Sequence, residues 1–182
     1  MKSMYHTFLL ALMVLLGLGL NTLLYADVEV AFTESAPKDR FVIKNVGKCD
    51  FADIILDIDL SASVGKLFFD TTNFGEGFEV FQPFEVAQGR VKLNINQGAR
   101  SFVSDGDVEL SVAIASLLVN ESVSFTIDVD DRLQTSELGR IRVTGSEIKN
   151  SVVRFYRQDN LQIATFGSDR TARILVDGCS AP

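Results

Sequence analysis

The sequence predicts an all-β fold: an antiparallel β-sandwich of about ten strands, with a jelly roll as the candidate topology. Three observations predict it. Apolar and polar residues alternate at period two in one segment after another, the pattern of strands buried on one face and wet on the other. Turn-forming clusters separate these segments at short intervals: Asn45-Val46-Gly47, Gly75-Glu76-Gly77, Gln97-Gly98, Asp105-Gly106 and Gly167-Ser168-Asp169. No convincing amphipathic helix lies between them.

The strands follow in order. Val28, Val30 and Phe32 alternate with Glu29 and Ala31, and Phe41 and Ile43 with Val42 and Lys44. Between Asp53 and Leu60, Ile54, Leu56, Ile58 and Leu60 take one face while Asp53, Asp57 and Asp59 take the other. Val91, Leu93 and Ile95 form the next set, followed by Val108, Leu110, Val112 and Ile114. Ile114–Val119 is compatible with a short helical turn but fits a strand better. Phe125, Ile127 and Val129 alternate again, Ile141 and Val143 lie between Arg140, Arg142 and Thr144, and apolar runs close the chain at Val152–Tyr156, Leu161–Phe166 and Ala172–Val176. There is no internal repeat and no Pro-rich linker, and the three prolines (Pro37, Pro83, Pro182) mark no domain boundary.

Residues 1–26 have the layout of a secretory signal peptide: Lys2, an apolar run from Phe8 to Leu20, and a small-residue end at Ala26 before Asp27. The competing reading is a retained anchor, but Asn21 and Thr22 interrupt the run well short of the roughly 20 apolar residues that a spanning helix needs. Leu24, large for its place before the cut, is the one departure from the signal pattern. No Cys follows the run, so lipid attachment is not expected. The sequence thus divides into a signal peptide, 1–26, and a single β-sandwich domain, 27–182, placed in the periplasm or secreted.

Removing the signal removes the only His (His6) and leaves one Tyr (Tyr156) and no Trp. The mature domain then lacks the side chain most used for acid–base work near neutral pH. The chain has 24 acidic residues against 17 Lys and Arg, a formal net charge of −7. Since the signal contains Lys2 and no acid, the mature domain is more acidic still. Such a surface excludes nucleic acid and anionic membranes as expected partners. The two cysteines, Cys49 and Cys179, are expected to form a disulfide in an exported chain. Of the 14 Phe, Phe68, Phe69, Phe74, Phe78, Phe81 and Phe84 crowd one stretch. They are expected to fill the core, with an exposed binding platform as the alternative.

The best chemical candidate is Asp128-Val129-Asp130-Asp131. Strand periodicity puts Asp128 and Asp130 on one face, opposite Phe125, Ile127 and Val129, with Asp131 at the strand exit. Three close carboxylates repel unless a cation or basic groups intervene, and Ca2+ takes six to eight oxygen ligands. Asp128, Asp130 and Asp131 are therefore candidate calcium ligands, and Asp70, Glu76, Glu79 or Glu85 could add oxygens. The alternative is a solvated strand end offset by Arg132 and Arg140. Asp57 and Asp59 are expected on the wet face of their strand. Neither pair starts an EF-hand, because the required Gly and final Glu are replaced by Ala62 and Phe68, and by Leu133 and Gly139. A zinc site lacks ligands. There is no G-x-S-x-G elbow and no His to activate a serine. Paired carboxylates alone formally permit a glycosidase, but few aromatic side chains are available to stack sugars. Asn120-Glu121-Ser122 matches a glycosylation sequon.

Several segments together resemble a family of small secreted bacterial proteins, the aggregation factor core family, named for likeness to the core protein of the sponge aggregation factor. They are Ala36-Pro37-Lys38-Asp39-Arg40-Phe41, Asn45-Val46-Gly47 before Cys49, Glu79-Val80-Phe81-Gln82-Pro83-Phe84, Phe125 through Asp131, Val143-Thr144-Gly145-Ser146-Glu147-Ile148, and Cys179 near the end. The resemblance spans nearly the whole mature chain. It implies an exported all-β domain without enzymatic activity, and its name implies calcium-dependent cell adhesion, an inheritance by analogy. The expected function is adhesion or surface interaction with a protein or glycan partner at the cell surface, with Ca2+ as the only expected cofactor. The alternatives are a metal-free glycan- or peptide-binding module and a carboxylate-based hydrolase.

Overall fold

The computed structural model describes residues 27–35, 38–72, 74–75, 77, 81–94, 103–135 and 143–177. Eleven strands form: β1 (Val28–Thr33), β2 (Asp39–Asn45), β3 (Phe51–Asp59), β4 (Phe68–Asp70), β5 (Glu85–Gln88), β6 (Val91–Leu93), β7 (Glu109–Leu117), β8 (Ser122–Asp130), β9 (Val152–Arg157), β10 (Asn160–Thr165) and β11 (Thr171–Ile174). One antiparallel sheet runs β11-β1-β2-β8-β4, with β5 also on β8, and the second runs β10-β9-β3-β7-β6. The all-β sandwich expected from the alternation is the observed fold, and no helix occurs among the described residues. This strand order does not by itself establish a jelly roll.

The alternation works as read. Val28, Val30, Phe32, Phe41, Ile43, Phe125, Ile127 and Val129 of the first sheet meet Ile54, Leu56, Ile58, Leu110, Val112, Val153 and Phe155 of the second in one buried cluster. The rings fill this core in a cross-strand ladder: Phe32 to Phe41 at 5.2 Å, Phe41 to Phe125 at 5.3 Å and Phe84 to Phe125 at 4.9 Å between centroids. The register explains the ladder, since Phe32 pairs with Phe41 and Phe41 with Phe125. In a chain without Trp, phenylalanine supplies the large buried rings and the offset contacts between them.

Two parts differ from the expectation. Arg140–Thr144 was expected to be a strand, but its first three residues lie outside the described set. Val143 and Thr144 lead into a turn over 145–150 instead. Thr144 begins that turn: its N–H donates to the Glu147 carboxylate, and its hydroxyl lies 3.0 Å from that of Ser146. Buried Val143 and Ile148 then close one end of the core. The Phe-rich stretch, in turn, opens with the short strand β4 and is followed by another, β5, neither of which the period-two pattern marked. The signal segment and Cys179 lie outside the described residues. Cys49 packs against the core just after β2.

Candidate metal centre

β8 is long enough to hold different partners along its length. β2 pairs with Ser122–Ile127, β5 with Ser124–Thr126, and β4 with the last three residues. In the β4–β8 register Asp70 faces Asp128, Phe69 faces Val129 and Phe68 faces Asp130. Side chains of directly opposed residues share a face. Phe69 and Val129 therefore enter the core, while Asp70, Asp128 and Asp130 gather on the opposite face. One carboxylate oxygen from each of the three lies within 4.8 Å of the others.

The cluster is not a wet strand end. Asp70 is 0% exposed, Asp130 1% and Asp128 8%. Gly77 sits on top of Asp70: a Cβ at that position would collide with Oδ2, and its φ of +111° is a conformation open to glycine. The Arg132 guanidinium lies 4.2 Å from the Phe68 ring centroid and donates to the Gly106 carbonyl at 3.2 Å, covering the β4 flank. Gln82 is buried beside the cluster. Its carbonyl accepts from the Asp128 N–H at 3.4 Å, and its Oε1 has no hydrogen-bond partner among the described residues.

The electrostatics fit carboxylates held together against their repulsion. Burial pushes the Asp128 carboxyl up to about 7, and the neighbouring charge of Asp70 adds to the rise. Lys38, which is paired with Glu85 at 2.8 Å, offsets part of it. Asp39 is a fourth buried acid. Its Oδ1 accepts from the Ser35 N–H at 3.2 Å and its Oδ2 from the Val129 N–H at 3.2 Å. Burial, with the charge of Asp128, still drives it up to about 8. Such a group of oxygens can be neutralised by protons or by a hard divalent cation. With no His or Cys in the set, the donor chemistry suits Ca2+ or Mg2+.

Of the sequence-predicted ligands, Asp128 and Asp130 come together and Asp70 joins them. Asp131 stands outside the set. It is buried just past the end of β8, and its Oδ1 accepts from the Leu133 N–H at 2.7 Å. Glu85 is exposed and ion-paired, and Glu76 and Glu79 lie outside the described residues. Asp39 was not singled out, yet its signal was in the sequence. It stands in phase with Phe41 and Ile43 on β2, so alternation places it on the buried face.

The other acidic pair is placed differently. The Asp59 carboxylate takes an ion pair from Arg154 at 2.8 Å and the Ser61 N–H at 3.0 Å. Burial acts to raise its pKa, and these bonds with that of the Ser61 hydroxyl hold it below the usual range. Instead of lying wet, Asp59 is a buried, paired acid. The Phe-rich stretch is split: Phe68 and Phe69 are buried, whereas Phe74 is 85% and Phe81 66% exposed, and Phe78 lies outside the described residues. No protein-family model matches the chain, and no curated protein matches it.

Proposed function

We propose that this chain is an exported, non-enzymatic β-sandwich for adhesion or surface interaction, and that Asp70, Asp128 and Asp130 hold a calcium ion on which the interaction depends. The observation that carries this reading is the buried triad itself. Its three carboxylates sit within 4.8 Å, on a face closed by Gly77. Like charges this close repel one another, and a bound divalent cation would be attracted to all three at once. The resemblance to the aggregation factor core family supports the adhesive part and location in the periplasm or the medium. Carboxylate hydrolysis needs two acids about 5–10 Å apart in an open cleft, and the tighter, buried triad suits ion binding better.

The Cys49–Cys179 bridge belongs to the same reading. Asp27 accepts from the Val46 and Gly47 N–H groups through its carbonyl, at 2.9 and 3.0 Å, and from the Val176 N–H through Oδ2 at 2.8 Å. The segments leading to both cysteines therefore start from one residue. An unreduced peptide map should recover the linked pair, and free thiols would contradict it.

Thermal melting of the processed chain in EDTA and then in millimolar Ca2+ or Mg2+ tests the site. At 100 times the dissociation constant, a ligand of the folded state adds about 2.7 kcal/mol. The expected result is a Ca2+-selective rise of about 5–10 °C that disappears in Asp128→Asn/Asp130→Asn. No rise in the wild type would sink the calcium reading. A metal-free module is the second reading, favoured by exposed Phe74 and Phe81, and a glycan or peptide that binds equally in EDTA and is lost in Phe74→Ala/Phe81→Ala would establish it.

A further inference from the structure

On the second sheet, away from the acidic triad, β3 and β7 break their alternation at the same level. On β3, Ala52 and Asp53 are both exposed between buried Phe51 and Ile54. On β7, exposed Ala115 and half-buried Ser116 stand between buried Ile114 and Leu117. The register sets the two breaks side by side, pairing Phe51 with Leu117, Ala52 with Ser116 and Ile54 with Ile114. Asp53 has a φ of +50°, a left-handed conformation that few residues besides Gly, Asn and Asp adopt. Local breaks of this kind bend a strand and re-aim its side chains, and they gather at functional sites.

A cleft of about 540 Å³ opens at this level, within the range of about 300–1,000 Å³ usual for small-ligand sites. Ile55, Ala113 and Ala115 line it with small or apolar side chains, and Asp53, Arg90 and Lys92 supply its charges. Ala113 pairs with Ile55 on one side and with Lys92 on the other, so these three share a face of the sheet. Arg90 extends the β6–β7 pairing by one residue. Its carbonyl accepts from the Ala115 N–H at 3.3 Å, and its guanidinium donates to Ser116 Oγ at 3.3 Å. A guanidinium has five N–H donors, so this bond positions the group and leaves donors for a ligand. The charge of the lining is opposite to that of the chain. The chain has 24 acids against 17 Lys and Arg, yet two cations and one acid line the cleft. Exposed charges beyond about 8 Å are screened at physiological salt, so the local balance decides which ligand enters.

We infer that this cleft binds a sugar that bears a carboxylate, such as a uronic acid unit of a glycan. The sugar carboxylate meets Lys92 and the planar donor fork of Arg90. The Asp53 carboxylate accepts from ring hydroxyls, and the C–H face of the ring lies against Ile55 and Ala113. Each half of the ligand is needed. A bare carboxylate offers nothing to Asp53, and a neutral sugar leaves two cations unmatched. The site lies on a different sheet from Asp70, Asp128 and Asp130 and requires no metal, so it goes beyond the calcium reading and stands without it.

The test therefore runs in EDTA on the processed chain. Three probes are titrated: a glucuronic acid–glucose disaccharide, the neutral glucose disaccharide of the same size, and acetate. Binding is read from amide NMR shifts at Lys92, Ala113 and Ala115. The acidic disaccharide should bind at least about 10-fold more tightly than either control. Arg90→Gln/Lys92→Gln should weaken it at least about 10-fold. Ala115→Leu, at an exposed position, should do the same by filling the cleft with no change of charge. Lys44→Gln, on the first sheet, and Phe74→Ala/Phe81→Ala should bind as the wild type does. No shift with the acidic disaccharide, or equal binding of either control, would overturn the inference. So would full binding in the two cleft variants, or loss of binding in Phe74→Ala/Phe81→Ala.

Discussion

Asp57-x-Asp59 and Asp128-x-Asp130 have the same spacing, each closes a nine-residue strand, and each lies opposite an apolar row. Their surroundings are inverted. On β3, Asp57 is opposite Arg154 and Ser111, and Asp59 is bound by Arg154 and Ser61. On β8, Asp128 is opposite another acid, Asp70, and Asp130 is opposite Phe68. Asp59 is accordingly held below the usual carboxylate range, while Asp128 is raised to about 7. An Asp-x-Asp pair has no fixed chemistry. The cross-strand neighbour decides whether it is an internal ion pair or part of a cluster of buried acids.

The sharpest way to break the comparison is to neutralise each pair in turn and read the calcium response. Asp128→Asn/Asp130→Asn should abolish the calcium-linked stabilisation of about 2.7 kcal/mol expected at saturation, and should itself melt higher in EDTA because the repulsion is gone. Asp57→Asn/Asp59→Asn should keep the whole calcium shift while lowering the baseline, since Arg154 loses its partner. Equal loss of the shift in both variants would mean that calcium acts through general surface charge.

This contrast marks the limit of what the sequence could show. Alternation is a local signal, so Ile54, Leu56, Ile58, Phe125, Ile127 and Val129 were legible as core and Asp128 and Asp130 as sharing a face. The β4–β8 register is a long-range fact that joins residues 58 positions apart, Asp70 and Asp128. It could be suspected only by naming Asp70 among several acids. The short strand β4 was equally hidden: its three residues, Phe68-Phe69-Asp70, show no alternation. Asp39 was legible but overlooked, because a polar residue in phase with a buried row is easily taken for the start of the strand.

A smaller effect separates the two pairs by pH. Asp128 and Asp39 are raised to about 7 and about 8, so between pH 4 and 8 the folded chain holds protons that the unfolded chain has released. Stability from these groups is therefore fully present below about pH 4 and is lost progressively as pH rises to their folded values. The charge of Lys38 limits the loss at Asp128, while that of Asp70 enlarges it. Asp59 has the opposite sign: its stabilisation is present above about pH 4 and lost as pH falls through its depressed value. In EDTA the melting temperature should peak near pH 4 and fall steadily towards pH 8. Saturating Ca2+ should flatten or reverse the alkaline side, because the cation replaces the proton. An alkaline side with the same slope in EDTA and in calcium would separate the acids from the metal.

The smallest effect isolates the β3 pair. Arg154 and Asp59 meet at 2.8 Å, with the arginine side chain 30% exposed and the aspartate 10%. Removing the guanidinium strands a mostly buried carboxylate, yet Ser61 still donates to it, so the loss should be near the upper end for a partly exposed ion pair, about 1 kcal/mol. Arg154→Ala should thus lower the melting temperature by about 2–4 °C and leave the calcium shift intact. Arg154→Ala/Asp59→Asn should recover part of that loss, because no buried charge is left unmatched. The β8 triad predicts the reverse for a basic residue: Phe68→Lys, placed opposite Asp130, should compete with calcium and shrink its shift. If both basic-residue changes acted alike, the cross-strand neighbour would not be what distinguishes these two acidic pairs.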